Sequence, residues 1–226
     1  ETDATVGYIL RKMARAAGVV YTLTAGDEPG TTMELFDFAK SLGFEIVAAG
    51  KGKNNPLDRS ANPDTVAEKA KAQMMNPKML ASFVDGTKTM VEMTSFANAA
   101  GFVPDVQGMH GPEVTPKTLA EVFSTKQDGG ILNGTGVVDY GRGVAPGVFV
   151  IFTTDQPKIV RDLKYLSMGA GPNWALYRPY HLTSLETPIS IARAVLKGET
   201  TIATDIPPKA ETVAFAKRDL KTGETI

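Results

Sequence analysis

Cysteine is missing from all 226 residues, which excludes a disulfide scaffold, a thiol nucleophile and every thiolate metal site. Histidine is nearly missing too. His110 and His181 are the only two, far apart and without a His-x-x-x-His pair, so a zinc motif is not present. Charge of one sign is lacking: 24 Lys and Arg face 25 Asp and Glu, for a net charge of -1. A nucleic-acid binder would carry a basic stripe, and none is visible. No apolar run approaches the roughly 18 residues of a membrane span, and no signal peptide is recognisable, which makes a cytoplasmic location the default. Three catalytic signatures are also absent. There is no Gly-x-x-x-x-Gly-Lys-Ser/Thr phosphate loop, no Gly-x-Ser-x-Gly elbow and no Gly-x-Gly-x-x-Gly dinucleotide fingerprint. What remains is 42% hydrophobic with 22 Gly and 14 Pro, an ordinary globular composition with chain enough for one large or two small domains. The chain opens on Glu1 with no initiator Met and closes on what reads as a strand just beginning. Both ends look cut, and the expectation is a piece of a longer protein.

Periodicity predicts an α/β fold. Val6, Ile9, Leu10, Met13 and Ala17 fall at helical spacing, with Gly18 as a stop. Val19–Leu23 reads as a buried strand. A helix capped by Thr31 or Thr32 should follow and end at Gly43, then a strand over residues 44–49. Helix, strand, helix, strand at this spacing implies parallel neighbours. One helix is expected near Asp64–Gln73, and a long one capped by Asn76 with Pro77 at its first position, reaching about Ala100. Leu80, Phe83, Val84, Thr87, Val91 and Thr94 would form its core face. Asn98 in line with that stripe is either a satisfied buried amide or past the helix end. Thr115-Pro116 should open a short helix, Val148–Phe152 is a strong strand, Lys158–Leu166 a short helix, and Thr187-Pro188 opens a helix stopping at Gly198. Residues 200–209, with Pro207-Pro208, form the plausible domain boundary.

Four places could carry chemistry. Gly26-Asp27-Glu28-Pro29-Gly30 follows a predicted strand, at the edge where open α/β sheets place ligands. Asp27 and Glu28 would bind a polar substrate or a divalent metal, or merely favour the next helix N-terminus. The loop Gly50-Lys51-Gly52-Lys53-Asn54-Asn55 sits at the same edge. Its glycines would let backbone approach a ligand while the ammonium groups bind phosphate or polarise a carbonyl; otherwise it is a solvated turn. Asp85, Lys88 and Glu92 share a face of the long helix, either as a solvated ion pair or as a lysine positioned by two acids for proton donation or charge stabilisation. Trp174–Leu182 holds the only Trp beside Arg178, Tyr180 and His181. Arg178 could clamp phosphate or carboxylate and His181 could do acid–base work, or the segment is a packed aromatic turn. His110, in a Gly-rich stretch, is open between the two.

Ala25-Gly-Asp-Glu-Pro29, Glu45-Ile-Val-Ala-Ala-Gly-Lys-Gly52, Asn76-Pro-Lys-Met79 with Phe83-Val-Asp-Gly-Thr-Lys88, and Leu176-Tyr-Arg-Pro-Tyr-His-Leu182 with Leu185-Glu186 resemble one family. It is the homoserine-dehydrogenase-like oxidoreductases with a C-terminal SAF domain, which include the deoxyxylulose-phosphate-reductoisomerase-like enzymes. Val213–Gly223 is similar to the opening strand of the SAF domain. The resemblance implies residues 1–25 as the tail of a Rossmann domain, 26–205 as the central catalytic and dimerisation domain, and 206–226 as the start of a SAF-like domain. It implies hydride transfer between NADP or NAD and a carbonyl compound, a homodimer, and Mg or Mn as a candidate ion. From residue chemistry, Lys51, Lys88, Asp85 and His181 would be catalytic. Asp27, Glu28, Lys53, Asn54, Arg178 and Tyr180 would hold a small substrate, a phosphorylated or polyhydroxylated keto compound. Two departures stand out. Gly130-Ile-Leu-Asn-Gly-Thr135 echoes a homoserine dehydrogenase motif but runs into a strand, and Asp85-x2-Lys88 replaces the Asp-x3-Lys pair of those enzymes. The alternatives are a homoserine or sugar-acid dehydrogenase, or, for the chain alone, a non-catalytic dimerisation or binding module.

Overall fold

The computed structural model describes residues 2–225. Its centre is a five-stranded mixed sheet built from β1 (Glu45–Lys53), β2 (Val103–Pro104), β3 (Val137–Arg142), β4 (Val148–Thr153) and β5 (Asn173–Arg178), in the order β2-β3-β1-β4-β5. The fold is α/β, as the periodicity implies. Parallel pairing holds for β1 with β3 and β2 with β3, while β4 runs antiparallel to both β1 and β5.

Eight helices surround the sheet among the described residues: α1 (Thr2–Ala16), α2 (Glu28–Ser41), α3 (Ala67–Ala72), α4 (Pro77–Val84), α5 (Thr87–Ala100), α6 (Leu119–Val122), α7 (Pro157–Tyr165) and α8 (Thr187–Lys197). On one face Met33, Phe44, Met93, Phe96, Phe152 and Trp174 form the larger core, contributed by α2, α5 and the strands. On the other, Val47, Leu119, Phe123, Leu132, Phe149 and Ile151 form a second layer. Burial of such side chains stabilises by about 1.5–3 kcal/mol each.

Several sequence expectations need correction. Val19–Leu23 is not a strand; only Leu23 makes an isolated bridge, antiparallel to Ile202. With that one bridge in place of a sheet neighbour, the predicted parallel pair with residues 44–49 does not form. The second helix starts at Glu28, because Pro29 supplies a preset φ in the first turn, with Asp27 at the N-cap position. The long helix is two. Gly86 takes φ +91° between α4 and α5, a conformation a glycine adopts without steric cost. That break resets the helical phase, so Met93, Phe96 and Ala97 face the core, while Leu80 packs in a small cluster with α3. Asn76 does cap α4, its Oδ1 accepting from the N–H of Lys78 at 2.9 Å.

The Trp174 segment begins as an edge strand, β5, not a turn. The helix after Pro116 shrinks to four residues, α6, because Thr115 and Thr118 bond each other's backbone instead. Val6, Ile9 and Met13 of α1 are exposed, since α1 meets α5 through its Ala4 side. Residues 210–225 carry no strand. Asn98 lies inside α5 and is a satisfied buried amide. Its Oδ1 accepts from Lys209 N and Ala210 N at 2.9 Å, and its Nδ2 donates to Ala210 O and Ala4 O. One side chain thus ties α5 to segments more than two hundred residues apart.

Candidate active site

The sheet register brings the predicted groups to one end. Lys51 pairs with Val148, and Val148 with Arg178, so the carboxyl end of β1 lies beside the residues that follow β5. The stretch Gly50–Lys53 is not a loop but the last four residues of β1. Strand periodicity therefore sends its lysines to one face and its glycines to the other. A Cβ on Gly50 would lie 2.0 Å from the Asp139 carbonyl oxygen, and one on Gly52 would lie 2.3 Å from Ala145 N. The glycines admit neighbouring backbone, not a ligand.

On the lysine face, Lys51 Nζ donates to Glu28 Oε1 at 2.7 Å and also to Glu92. Lys88 Nζ stands 2.7 Å from Glu92 Oε1 and 3.3 Å from Glu28 Oε2. Two ammonium groups and two carboxylates thus alternate in a closed ring, supplied by β1, α2 and α5. The side chains of Lys51 and Glu28 are only 5% and 8% exposed. Burial of such a ring is tolerated because each charge has two partners. Burial favours a protonated Glu28, but the fields of Lys51 and Lys88 outweigh it and hold its carboxyl well below the usual range. In Glu92 the same burial prevails, helped by Glu28, and its carboxyl is pushed up. Environments that drive two carboxyls apart separate a stable anion from a proton carrier.

His181 closes one side. Its Nδ1 lies 2.8 Å from Gly26 O, and since a carbonyl only accepts, Nδ1 is the donor. Nε2 is then left facing Glu28 Oε1 at 3.5 Å. Lys53 Nζ donates to Asn55 O at 2.8 Å and Phe83 O at 2.6 Å. Burial, then the like charge of Lys51, lowers its pKa to about 8. A cavity of about 180 Å³ opens among Glu28, Lys51, Lys53, Lys88, Thr89 and His181, with Asn54 at its rim.

The other candidates lie elsewhere. Asp85 is the C-cap residue of α4, not part of the Lys88 face, because the Gly86 break turns the chain between them. Its Oδ2 accepts from Lys217 Nζ at 2.6 Å. Arg178 binds Glu34 at 2.9 Å and Glu186 at 2.7 Å and stacks over Tyr180, so it fastens β5 to α2 and the turn before α8. Tyr180 is half exposed. Asp27 is exposed and lines a separate cavity of about 320 Å³ behind Lys88 and Glu92. His110 lies 2.7 Å from Asp105, away from the ring. Two groups escaped the sequence reading. Thr89 had no signal beyond its neighbour Lys88. Asp139 is fully buried, and its carboxylate accepts from the N–H groups of His110, Gly111 and Tyr140, which fixes the loop after β2 to β3.

Neither a nicotinamide dinucleotide nor a divalent cation fits these residues. The glycine fingerprint is absent from the sequence. Glu28 and Glu92 are each occupied by two lysines, and among the described residues no three His, Asp or Glu gather as metal ligands. The described helices also include none long and apolar enough to cross a membrane.

An α/β sheet with a buried cluster of two lysines and two carboxylates at one strand end, beside a polar cavity, is an arrangement suited to polar small-molecule chemistry. The family is then specified by comparison. The model for the catalytic domain of oxidoreductase DRL matches residues 26–187, a span that contains every member of the ring and His181, and the chain belongs to that family. No curated protein matches the chain.

Proposed function

We propose that this chain is the substrate-binding and proton-transfer part of an NAD(P)-dependent oxidoreductase that acts on a phosphorylated or polyhydroxylated keto compound. The reaction best suited is the reduction and isomerisation of 1-deoxy-D-xylulose 5-phosphate to 2-C-methyl-D-erythritol 4-phosphate. The observation that carries the reading is the buried Lys51–Glu28–Lys88–Glu92 ring beside His181. Carbonyl reduction develops negative charge on oxygen, and preorganised ammonium groups in a site withdrawn from water stabilise it without reorganising. Lys51 and Lys88 are those groups. Glu92, with its raised pKa, and His181 Nε2 are placed to hold or pass the proton that the product hydroxyl requires. Glu28 stays ionised and keeps both lysines charged.

The dinucleotide belongs, on this reading, to a Rossmann domain of which residues 1–25 are the tail, with residues 206–226 leading into a SAF-like domain and the assembly a homodimer. NADPH would supply the hydride; the residues described supply the oxyanion and proton sites. The test follows NADPH oxidation by the full-length protein with deoxyxylulose phosphate, with and without added Mg²⁺ or Mn²⁺, and with homoserine and NAD(P)⁺ for comparison. Turnover of the sugar phosphate, abolished by Lys51→Ala in a folded protein, supports the reading. Turnover of homoserine alone would overturn it in favour of an amino-acid dehydrogenase.

A further inference from the structure

Thr183 carries a backbone conformation that its side chain resists. Its φ is +50°, in the left-handed region that a β-branched residue rarely enters. Such strain persists only where surrounding contacts over-determine it, and here they converge from two sides. Glu186, 6% exposed, lies under the turn that precedes α8. Its Oε1 accepts from Leu182 N at 2.9 Å and from Arg178 Nη2 at 2.7 Å. Opposite it, Gly26 O accepts from Thr183 N at 2.9 Å and from His181 Nδ1 at 2.8 Å. Gly26 leaves no room for a side chain, since a Cβ there would lie 2.1 Å from Thr183 O and 2.8 Å from Glu186 Cβ. The residue before it is pinned from α8. The buried Ser190 Oγ accepts from Ala25 N at 2.8 Å and shares a hydrogen with Thr201 Oγ1.

The strained turn has a chemical consequence two residues away. A bond to Gly26 O requires a proton on His181 Nδ1, and the bond made by one ring nitrogen decides what the other can do. A solvated imidazole prefers its proton on Nε2. Held against Gly26 O, the neutral ring keeps Nδ1–H instead, and the proton that comes and goes is the one on Nε2, the nitrogen 3.5 Å from Glu28 Oε1.

We propose that Glu186 is a positioning residue for His181. By holding the Leu182-Thr183 turn against Gly26 O, it fixes the Nδ1–H tautomer and aims Nε2 at the ionic ring. His181 enters as the proton carrier of the function proposed above, and the role of Glu186 rests on that reading. Arg178, the anion clamp expected from sequence, belongs to the same device as the counter-charge of Glu186. Thr183 is exposed, so a substitution there changes the backbone preference without repacking a core. The ordinary cost of one strained residue corresponds to a factor of about 10 in population, which is the margin Glu186 supplies.

The experiment is long-range ¹H–¹⁵N correlation spectroscopy of the ¹⁵N-labelled chain at alkaline pH, where the nitrogen shifts of a neutral imidazole separate its two tautomers. The sequence has only two histidines, so His110→Gln assigns the signals of the other. His181 should be predominantly Nδ1–H. Glu186→Ala should move its tautomer ratio about 10-fold toward Nε2–H. Glu186→Gln keeps an acceptor for Leu182 N and should stay within about threefold of the parent chain. Asn tolerates the left-handed region, so adding Thr183→Asn to Glu186→Ala should restore most of the ratio, because the turn no longer resists its own shape. A general loss of packing around a missing carboxylate would not be repaired by an exposed substitution. Should Glu186→Ala fail to fold, Glu186→Asp, one methylene shorter, is read in its place with the same shift expected.

A mixed or Nε2–H ring in the parent chain, an unchanged ratio in the folded Glu186 variant, or a double variant as shifted as the single one would each overturn the positioning role. These spectra need neither turnover nor cofactor, so such failures leave the oxidoreductase assignment standing. Conversely, a full-length enzyme that holds the Nδ1–H tautomer but reduces no keto phosphate counts against the proposed reaction and not against the turn.

Discussion

Replacing Lys51 by Met tests whether the four-membered ring is a single buried electrostatic unit. The substitution keeps most of the aliphatic volume and removes the ammonium that donates to Glu28 at 2.7 Å and to Glu92. Breaking one buried pair costs about 3–5 kcal/mol, because the abandoned charge stays in a poorly solvated place. Here two carboxylates are stranded, and only the more exposed Lys88, at 35%, is left between them. The protein has one way to reduce that cost, which is to bind a proton. Glu92 is already displaced toward protonation and is the group to take it. The folded variant then holds a proton that the unfolded chain releases, so its stability rises as pH falls. One proton is worth at most about 1.4 kcal/mol per pH unit. A destabilisation of about 4 kcal/mol near pH 8 should therefore shrink toward about 1–2 kcal/mol near pH 6.

At the upper figure the melting temperature drops by about 8–16 °C for a chain of this size. The assay is urea unfolding followed by circular dichroism at several pH values, with the unsubstituted chain beside it. A loss below about 1 kcal/mol at pH 8, or a loss equal at both ends of the range, would refute the coupled ring and reduce it to two independent surface pairs.

Three further outcomes follow from particular contacts. Gly50→Ala drives a Cβ onto the Asp139 carbonyl at 2.0 Å and Phe149 at 2.7 Å, and should lower the urea midpoint by the equivalent of about 1–3 kcal/mol; an unshifted midpoint means β1 and β3 do not approach as described. Glu28→Gln should flatten the acid limb of the stability curve. Its folded pKa lies below the ordinary 4.5, so its contribution is complete above that value and is lost as pH falls below it; parallel acid limbs for both proteins would contradict the shift. Asn98→Ala removes four hydrogen bonds that hold residues 4, 209 and 210 to α5, and should cost about 2–3 kcal/mol while opening the 205–215 segment to protease. Unchanged cleavage would show that the segment is held by something else.

How much of this was legible in the sequence depends on how local the cause is. Asn76-Pro77 announced a helix start because cap and preset φ act within four residues. Val148–Phe152 announced a buried strand because nothing polar interrupts it. The lysine–glycine alternation at 50–53 was visible but misread. A Gly-Lys-Gly-Lys stretch is locally a loop by composition, and becomes a strand only because Asp139, Ala145 and Phe149 press against its glycines. Lys88 and Glu92 were seen together on one helix face, yet their partners come from residues 28 and 51. The break at Asp85-Gly86 was hidden too, since the apolar stripe runs on through it.

The sequence by itself determined the α/β class, the helix start at Asn76-Pro77, and the chemical inventory of lysines, acids and histidine from which the site is built. Those follow from periodicity and side-chain identity, which are properties of neighbours along the chain. The tertiary structure alone decided which of those charges meet. Sheet order and register brought Lys51, Glu28, Lys88, Glu92 and His181 within hydrogen-bonding or near-contact distance, engaged Arg178 and Asp85 elsewhere, and left Lys53 buried without an anion. Charges find partners by distance through space in a medium of low polarity, and no spacing along the chain encodes that distance.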